Sequence, residues 1–354
     1  MNKIEKEKVK LWTMLEGEHP LEKLKCEELH IGGVVFRCGA VHESSFRGSC
    51  MAGSKKSSLG NMSFSNCEFY HSNWNGSYLP ETSFYACHMK EMDINGAYLA
   101  GSIICMSKAV SSKFQRACLQ GALFNRTNLD YSDMKCSDLG GSTFRGCSIV
   151  KVEFNEANLC NSTFIDCQLR AGVDLSGCDL RNALFRNCDL SGAVLSRADL
   201  RGARFIDCEL DGLIVQHEDE TRGLDEAFPS ECPAQGSFTA YKMASREPDP
   251  SVKDEKDSSV IVALHVPEDA KRVSSPSGKC RCDKAEVVGI TEIGGAQAYD
   301  KDGNALTKAV SFHDSSFVYE LGKTVEVKDF DDIRFHECST GIHFFMTREL
   351  AEAY

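Results

Sequence analysis

The sequence predicts a stacked solenoid of very short repeats followed by a small α+β domain. From Phe64 to Leu169 a bulky apolar residue stands at every fifth position, the one lapse being the small Ala109. In a chain that is 42% apolar, twenty-two consecutive hits arise by chance on the order of once in a hundred million trials. Neither a helix of 3.6 residues per turn nor a strand of period two gives a period of five. A unit that short cannot bury a core alone, so units must stack. A second observation agrees: two residues before each centre the side chain is nearly always small, as at Ala97, Ser102, Ala117, Ala122, Ser142 and Ala198, and where it is not Ala, Ser or Thr it is often Cys. The pentad ends after Leu210, and from Val260 apolar runs of strand length take over.

One residue before the centre Asp or Asn recurs, at Asn128, Asp138, Asn158, Asp179, Asp189 and Asp199. The unit therefore reads small/Cys, Asp/Asn, Leu/Phe, any, any/Gly, clearest over Cys178–Asn182 and Ala198–Gly202. Over about half of the chain these pentads resemble the pentapeptide-repeat family. The resemblance implies a mainly β fold, a right-handed quadrilateral β-helix with four pentads in each square coil. Such a coil demands a twenty-residue period on each wall. Phe64, Phe84, Ile104, Phe124, Phe144 and Phe164 supply it, continued by Phe185 and Phe205 after one extra residue. Three residues after each come Cys67, Cys87, Ser107, Thr127, Cys147, Cys167, Cys188 and Cys208. Both ladders read as structural. The extra residue falls near 170–174, where Gly172 suits a bulge.

Residues 1–28 read as an N-terminal capping helix and lead-in. Ile4, Leu11, Trp12 and Leu15 stand among alternating Lys and Glu, an amphipathic pattern, and the open end of a β-helix needs cover. The repeat region is assigned to 29–215. Its early beat (Ile31, Phe36, Val41, Phe46, Met51) runs one phase out of step until an interruption near 52–58. Together the centres make roughly nine coils, a rod of about 40 Å at ~4.8 Å per coil. Lys55 and Lys56 on the interruption form a candidate interaction loop. Residues 216–259 read as an acidic connector and flexible linker, polar and Pro-containing over 245–259. In 260–354, strands are expected over 260–266, 285–293, 316–319, 324–327 and 341–345. A helix capped by Thr347 should close the chain. With Gly236–Lys242, Val266–Arg272, Lys279–Ala285 and Glu337–Phe345, this part resembles a domain of unknown function that follows pentapeptide repeats in bacterial and phage proteins. No activity comes with that resemblance.

Composition narrows the function. No apolar run approaches the ~18 residues of a membrane span, and the N-terminus lacks a signal-peptide pattern, so a cytoplasmic protein is expected. Many of the eighteen cysteines occupy inward positions where Ala and Ser substitute, the pattern of packing thiols in a reducing compartment. Thiols along one wall cannot surround a tetrahedral ion, so no metal is expected. The net charge of -12 divides into +2 for residues 1–58, -3 for 59–213 and -11 for 214–354. A basic stripe is absent, which argues against direct nucleic-acid binding. The family resemblance also implies a role for some members as duplex-shaped acidic modulators of DNA gyrase, but 17 acids against 14 bases give the rod little field for it. No GxxxxGKS/T, HExxH or GxSxG occurs. The sparse set Cys280, Cys282, His313, Asp331, Cys338 and His343 would have to converge for the C-terminal domain to be an enzyme. The expectation is a non-enzymatic interaction or scaffold protein that presents β-helix faces and an acidic C-terminal domain to another protein, without cofactor, membrane or small-molecule substrate. A DNA-mimicking gyrase modulator and a C-terminal enzyme stay open as alternatives.

Overall fold

The computed structural model describes residues 21–22, 40–46, 60–216, 220–246, 258–314 and 316–354. The expected capping helix, Ile31, Phe36, the 52–58 interruption with Lys55 and Lys56, and residues 247–257 lie outside them. The chain divides into two compact units, Met1–Ala227 and Phe228–Tyr354.

The first unit is a β-solenoid. Ten short strands form one parallel sheet in chain order: β1 (Leu21–Glu22), β2 (Ala40–His42), β3 (Ser63–Ser65), β4 (Ser83–Tyr85), β5 (Ile103–Cys105), β6 (Leu123–Asn125), β7 (Thr143–Arg145), β8 (Thr163–Ile165), β9 (Leu184–Arg186) and β10 (Arg204–Ile206). Phe64 pairs with Phe84 and Phe84 with Ile104, a step of twenty that becomes twenty-one between Phe164 and Phe185. The other three walls pair at the same step through single bridges, such as Glu68 with His88, Asn73 with Asp93 and Tyr78 with Tyr98. Successive walls are thus centred on Phe64, Phe69, Trp74 and Leu79.

Each pentad position has a physical reason. The centre and the small residue two before it are buried, and the other three positions face outward. The residue two after the centre turns the corner in the left-handed region, at φ 53° for Asn66, 54° for His71, 64° for Gly76 and 54° for Glu81. That conformation favours glycine, which explains the Gly in the fifth position. The Asp/Asn preference has a local cause as well. Its Oδ1 accepts the N–H two residues on, as Asp138 does from Gly140, Asn158 from Cys160 and Asp174 from Ser176.

Inside the shaft the first wall is a column of parallel rings: Phe124 on Phe144 at 4.7 Å, Phe144 on Phe164 at 4.6 Å and Phe164 on Phe185 at 4.7 Å. The early beat enters the same shaft, since Val41 pairs with Phe64 and Phe46 stacks on Phe69 at 5.1 Å. The coil count needs correcting. The continuously described solenoid makes seven full turns from Phe64 to Phe205, against the roughly nine expected. The solenoid also outlasts its assigned end at 215. Arg222 still bridges Asp199 on the fourth wall, and the short α1 (Leu224–Ala227) follows.

The second unit has a six-stranded sheet in the order β17-β16-β11-β12-β15-β18 and a three-stranded sheet β13-β14-β19. The strands are β11 (Phe238–Ser245), β12 (Ser259–Val266), β13 (Arg272–Ser274), β14 (Cys280–Cys282), β15 (Lys284–Thr291), β16 (Lys308–Val310), β17 (Val318–Glu320), β18 (Thr324–Glu326) and β19 (Ile342–Phe344). Helix α2 (Arg348–Ala353) closes the chain, its N-cap Thr347 accepting the Leu350 N–H. All neighbours in the two sheets are antiparallel. The core lies between Ala240, Val262, Leu264, Val287, Ile342 and Phe344. One boundary differs from the sequence reading. β11 falls within the presumed connector, and Ser245 pairs with Ser259, so residues 246–258 join two paired strands rather than two domains.

Candidate functional site

Because the pentad sends three of five side chains outward, function in the first unit must be written on the positions flanking each centre. On the fourth wall these begin Tyr78, Pro80, Tyr98, Ala100, Cys118 and Gln120. On the adjoining first wall they run Ser83, Tyr85, Ile103, Cys105, Leu123 and Asn125. None is charged, and Glu81 is the single charge at the corner between the two walls, where Gly101 and Gly121 follow it. The rings of Tyr78 and Tyr98 stack at 5.0 Å across the fourth wall. Tyr85, Ile103 and Met106 are 50%, 43% and 51% exposed, a contiguous apolar surface in water.

Further along, the fourth wall becomes charged and self-compensating. Arg181 pairs with Asp179 at 2.6 Å and Arg201 with Asp199 at 2.5 Å, while Arg197 reaches Glu220 at 2.7 Å. The guanidinium beside each of Asp179 and Asp199 holds its carboxyl below the ordinary carboxylate value. These pairs, with Arg222, line an open depression of about 470 Å³.

The cysteine column is a hydrogen-bonding column. Cys67, Cys87, Cys147, Cys167 and Cys188 are buried, and Cys208 is partly so. Cys87 donates to the Phe64 carbonyl at 3.4 Å and Cys147 to that of Phe124 at 3.4 Å. In the same column Ser107 donates to Phe84 at 3.3 Å and Thr127 to Ile104 at 2.8 Å. The position asks for one small donor aimed at the preceding coil, which thiols and hydroxyls satisfy alike. Along the column a shared thiol contact acts oppositely on its two partners, pushing Cys167 and Cys188 each up to about 12 and Cys147 down. Among the described residues no group of three or more His, Cys, Asp or Glu could hold a metal ion.

In the second unit the sparse set divides. Cys280 and Cys282 turn into the core, while His343 stands on the other side of the small sheet, opposite Arg281. His313 and Cys338 are exposed. Asp331 accepts the Ser339 hydroxyl at 2.5 Å, the Ile333 N–H at 2.9 Å and His336 Nδ1 at 2.8 Å, which together hold its carboxyl well below the usual range. His343 Nε2 donates to the Ser339 carbonyl at 2.9 Å, and burial, with Lys279 nearby, pushes this imidazole down to about 4. Asp331 and His343 therefore meet through Ser339, but the two cysteines are not with them.

Sequence reasoning missed two features. One is the uncharged pair of walls, visible only when outward positions are sorted by coil instead of summed over the rod. The other is Arg281, 2% exposed, which donates through Nη2 to the Ile333 carbonyl at 2.7 Å and the Asp331 carbonyl at 3.3 Å. An Arg between two inward cysteines carries no distinguishing signal.

Family models match the chain as a pentapeptide repeat region over 137–214 and as pentapeptide repeats (8 copies) over 111–146. A family of unknown function (DUF5758) matches over 228–351. No curated protein matches. Among solved structures, HetL is a pentapeptide repeat protein involved in heterocyst differentiation regulation from the cyanobacterium Nostoc. It is similar at 20% identity, covering 58% of this chain and 94% of that one, with a TM-score of 0.42. Trypsin-treated QnrB1, a plasmid-mediated fluoroquinolone resistance protein, is 20% identical over 56% of this chain and 93% of its own, with a TM-score of 0.34. Rfr23 from the cyanobacterium Cyanothece is 16% identical over 54% and 91%, with a TM-score of 0.16. No helix among the described residues is long and apolar enough to cross a membrane. The pentads, their square stacking and the two sets of family matches identify the chain as a pentapeptide-repeat protein that carries a C-terminal DUF5758 domain.

Proposed function

We propose that this chain is a non-enzymatic interaction module whose solenoid offers its uncharged fourth and first walls to a partner protein. The observation that carries the reading is the exposed Tyr78, Tyr85, Tyr98, Ile103 and Met106 on adjoining walls whose flanking positions bear no charge from Tyr78 to Asn125. Covering such a surface strips water from apolar area without desolvating ions, and Tyr dominates interface energetics. Lys55 and Lys56 are assigned to a second contact element, and the inward thiols suit a reducing cytoplasm. The acidic-mimic alternative finds less support. Asp138, Asp174, Asp179 and Asp199 cap the backbone of their own pentads, and the last two are paired with arginines.

The test is affinity capture with the full chain, comparing wild type with a Tyr85→Asp/Ile103→Asp variant and an Arg181→Ala control. A partner held by wild type and the control but lost from the double variant, at unchanged melting temperature, is the expected result. Equal capture by all three refutes the wall assignment. Purified protein that alters gyrase supercoiling would favour the acidic-mimic alternative.

A further inference from the structure

We propose that the C-terminal unit binds a small oxyanion of the phosphate class on the side of its three-stranded sheet that presents Lys279, Arg281 and His343. The inference concerns the second unit alone and does not depend on the interaction reading.

Register assembles the group. Arg281 on β14 lies directly opposite His343 on β19, and Lys279, two residues before Arg281, shares its side of the strand. Next to them Tyr241 of β11 bridges Phe345, which brings Lys242 close to the same end. Residues 214–354 carry a net charge of -11, yet this corner gathers cations.

Burial and pairing make the gathering costly. Arg281 is 2% and Lys279 7% exposed. Among the described residues neither forms an ion pair with a carboxylate. Arg281 spends Nη2 on two carbonyls, while its Nε and Nη1 are buried without a hydrogen-bond partner. Lys279 donates to the Tyr354 hydroxyl at 2.8 Å and lies 4.8 Å over that ring. Buried cations lacking a counter-charge are strongly destabilising, and a bound anion offsets that cost.

The facing acids do not serve. Asp331 and Glu337, on the loop after β18, act on Arg281 only through space, and the Asp331 carboxylate is already engaged by Ser339, His336 and the Ile333 N–H. His343 feels Lys279, Lys242 and Arg281, which agrees with its neutral state. His343 and Lys242 are the partly exposed members of the group. Two guanidinium donors and an ammonium suit an anion with several oxygens rather than a halide.

The experiment titrates inorganic phosphate into the full chain at fixed ionic strength, with acetate and a nucleoside monophosphate as parallel arms. It follows the melting temperature and the NMR titration midpoint of His343. Phosphate is expected to raise both. Lys279→Met should weaken the response about tenfold or more, and His343→Gln, which keeps a donor for Ser339, should retain most of the thermal shift. A response to the nucleotide alone supports the site and makes the phosphoryl group ligand-borne. Acetate acting as strongly as phosphate, an unmoved His343 midpoint in both phosphate arms, or undiminished binding by Lys279→Met overturns the proposal. So does a Lys279→Met chain that is more stable than wild type while phosphate affects neither.

Discussion

Adjacent residues in a pentad live in different solvents. Leu180 is wholly buried in the shaft, whereas Arg181 beside it lies on the outer wall, clasping Asp179. Leu180→Asp places an unpaired carboxylate among apolar side chains and should cost more than about 4 kcal/mol in chemical denaturation. Arg181→Ala should leave the melting temperature nearly unchanged. Equal damage from the two would contradict the inward and outward assignment. Acid should find the caps. Asp174, Asp179, Asp199 and Asp331 all have carboxyls held below their ordinary value by hydrogen bonds or a guanidinium. Groups whose folded value is depressed contribute stability that is complete above the ordinary carboxylate value and is lost as pH falls through the folded one. Melting temperature should therefore hold from neutrality down to about pH 4 and then decline, and a steady rise toward pH 2 would refute this assignment.

The pentad itself is the element that repeats, and its corner carries an unusual demand. Ala86 turns at φ 52° with a methyl group that the left-handed region disfavours. Ala86→Gly should thus stabilise by roughly 1 kcal/mol instead of weakening the chain as Gly does in ordinary strands, measured by denaturant midpoint. Phe144 is sandwiched between Phe124 and Phe164, so Phe144→Ala should cost about 3–5 kcal/mol. These elements were legible because burial enforces a period: Phe84, Leu99 and Phe124 each had to be apolar. Outward residues obey no such rule, and Tyr78, Tyr98 and Ile103 share a surface only once the coil aligns them. β11 was hidden for another reason. Phe238–Ser245 mixes Thr, Tyr and Lys with small Ala, and its strand character comes from pairing along its whole length with the apolar β12. Arg281 was illegible because its partners are backbone carbonyls fifty residues away.

At the scale of the molecule, backbone bonding among the described residues of the solenoid runs within a coil or between neighbouring coils. Asp93, for example, donates its N–H to Ser72 and accepts at its carbonyl from Trp74, all in its own coil or the one before. Such a stack is close to one-dimensional, so opening should begin at the ends. Amide hydrogen exchange should be slowest in the coils of β5–β8 and faster toward β3 and β10. A uniform rate along the rod would instead signal all-or-none unfolding. The second unit, with its separate core, should exchange on a schedule of its own.

The coil that holds Gly172 shows where such a stack can grow. One surplus residue is taken up between Ala171 and Gly172, both at positive φ; each wall steps by twenty-one once across it, and twenty resumes as far as the Val194–Ile214 bridge. Length changes at a bend leave the ring stack undisturbed, so a new segment spliced there would decorate the rod without rewriting its interior. The square section is thus a chassis for grafted loops as much as a surface in its own right.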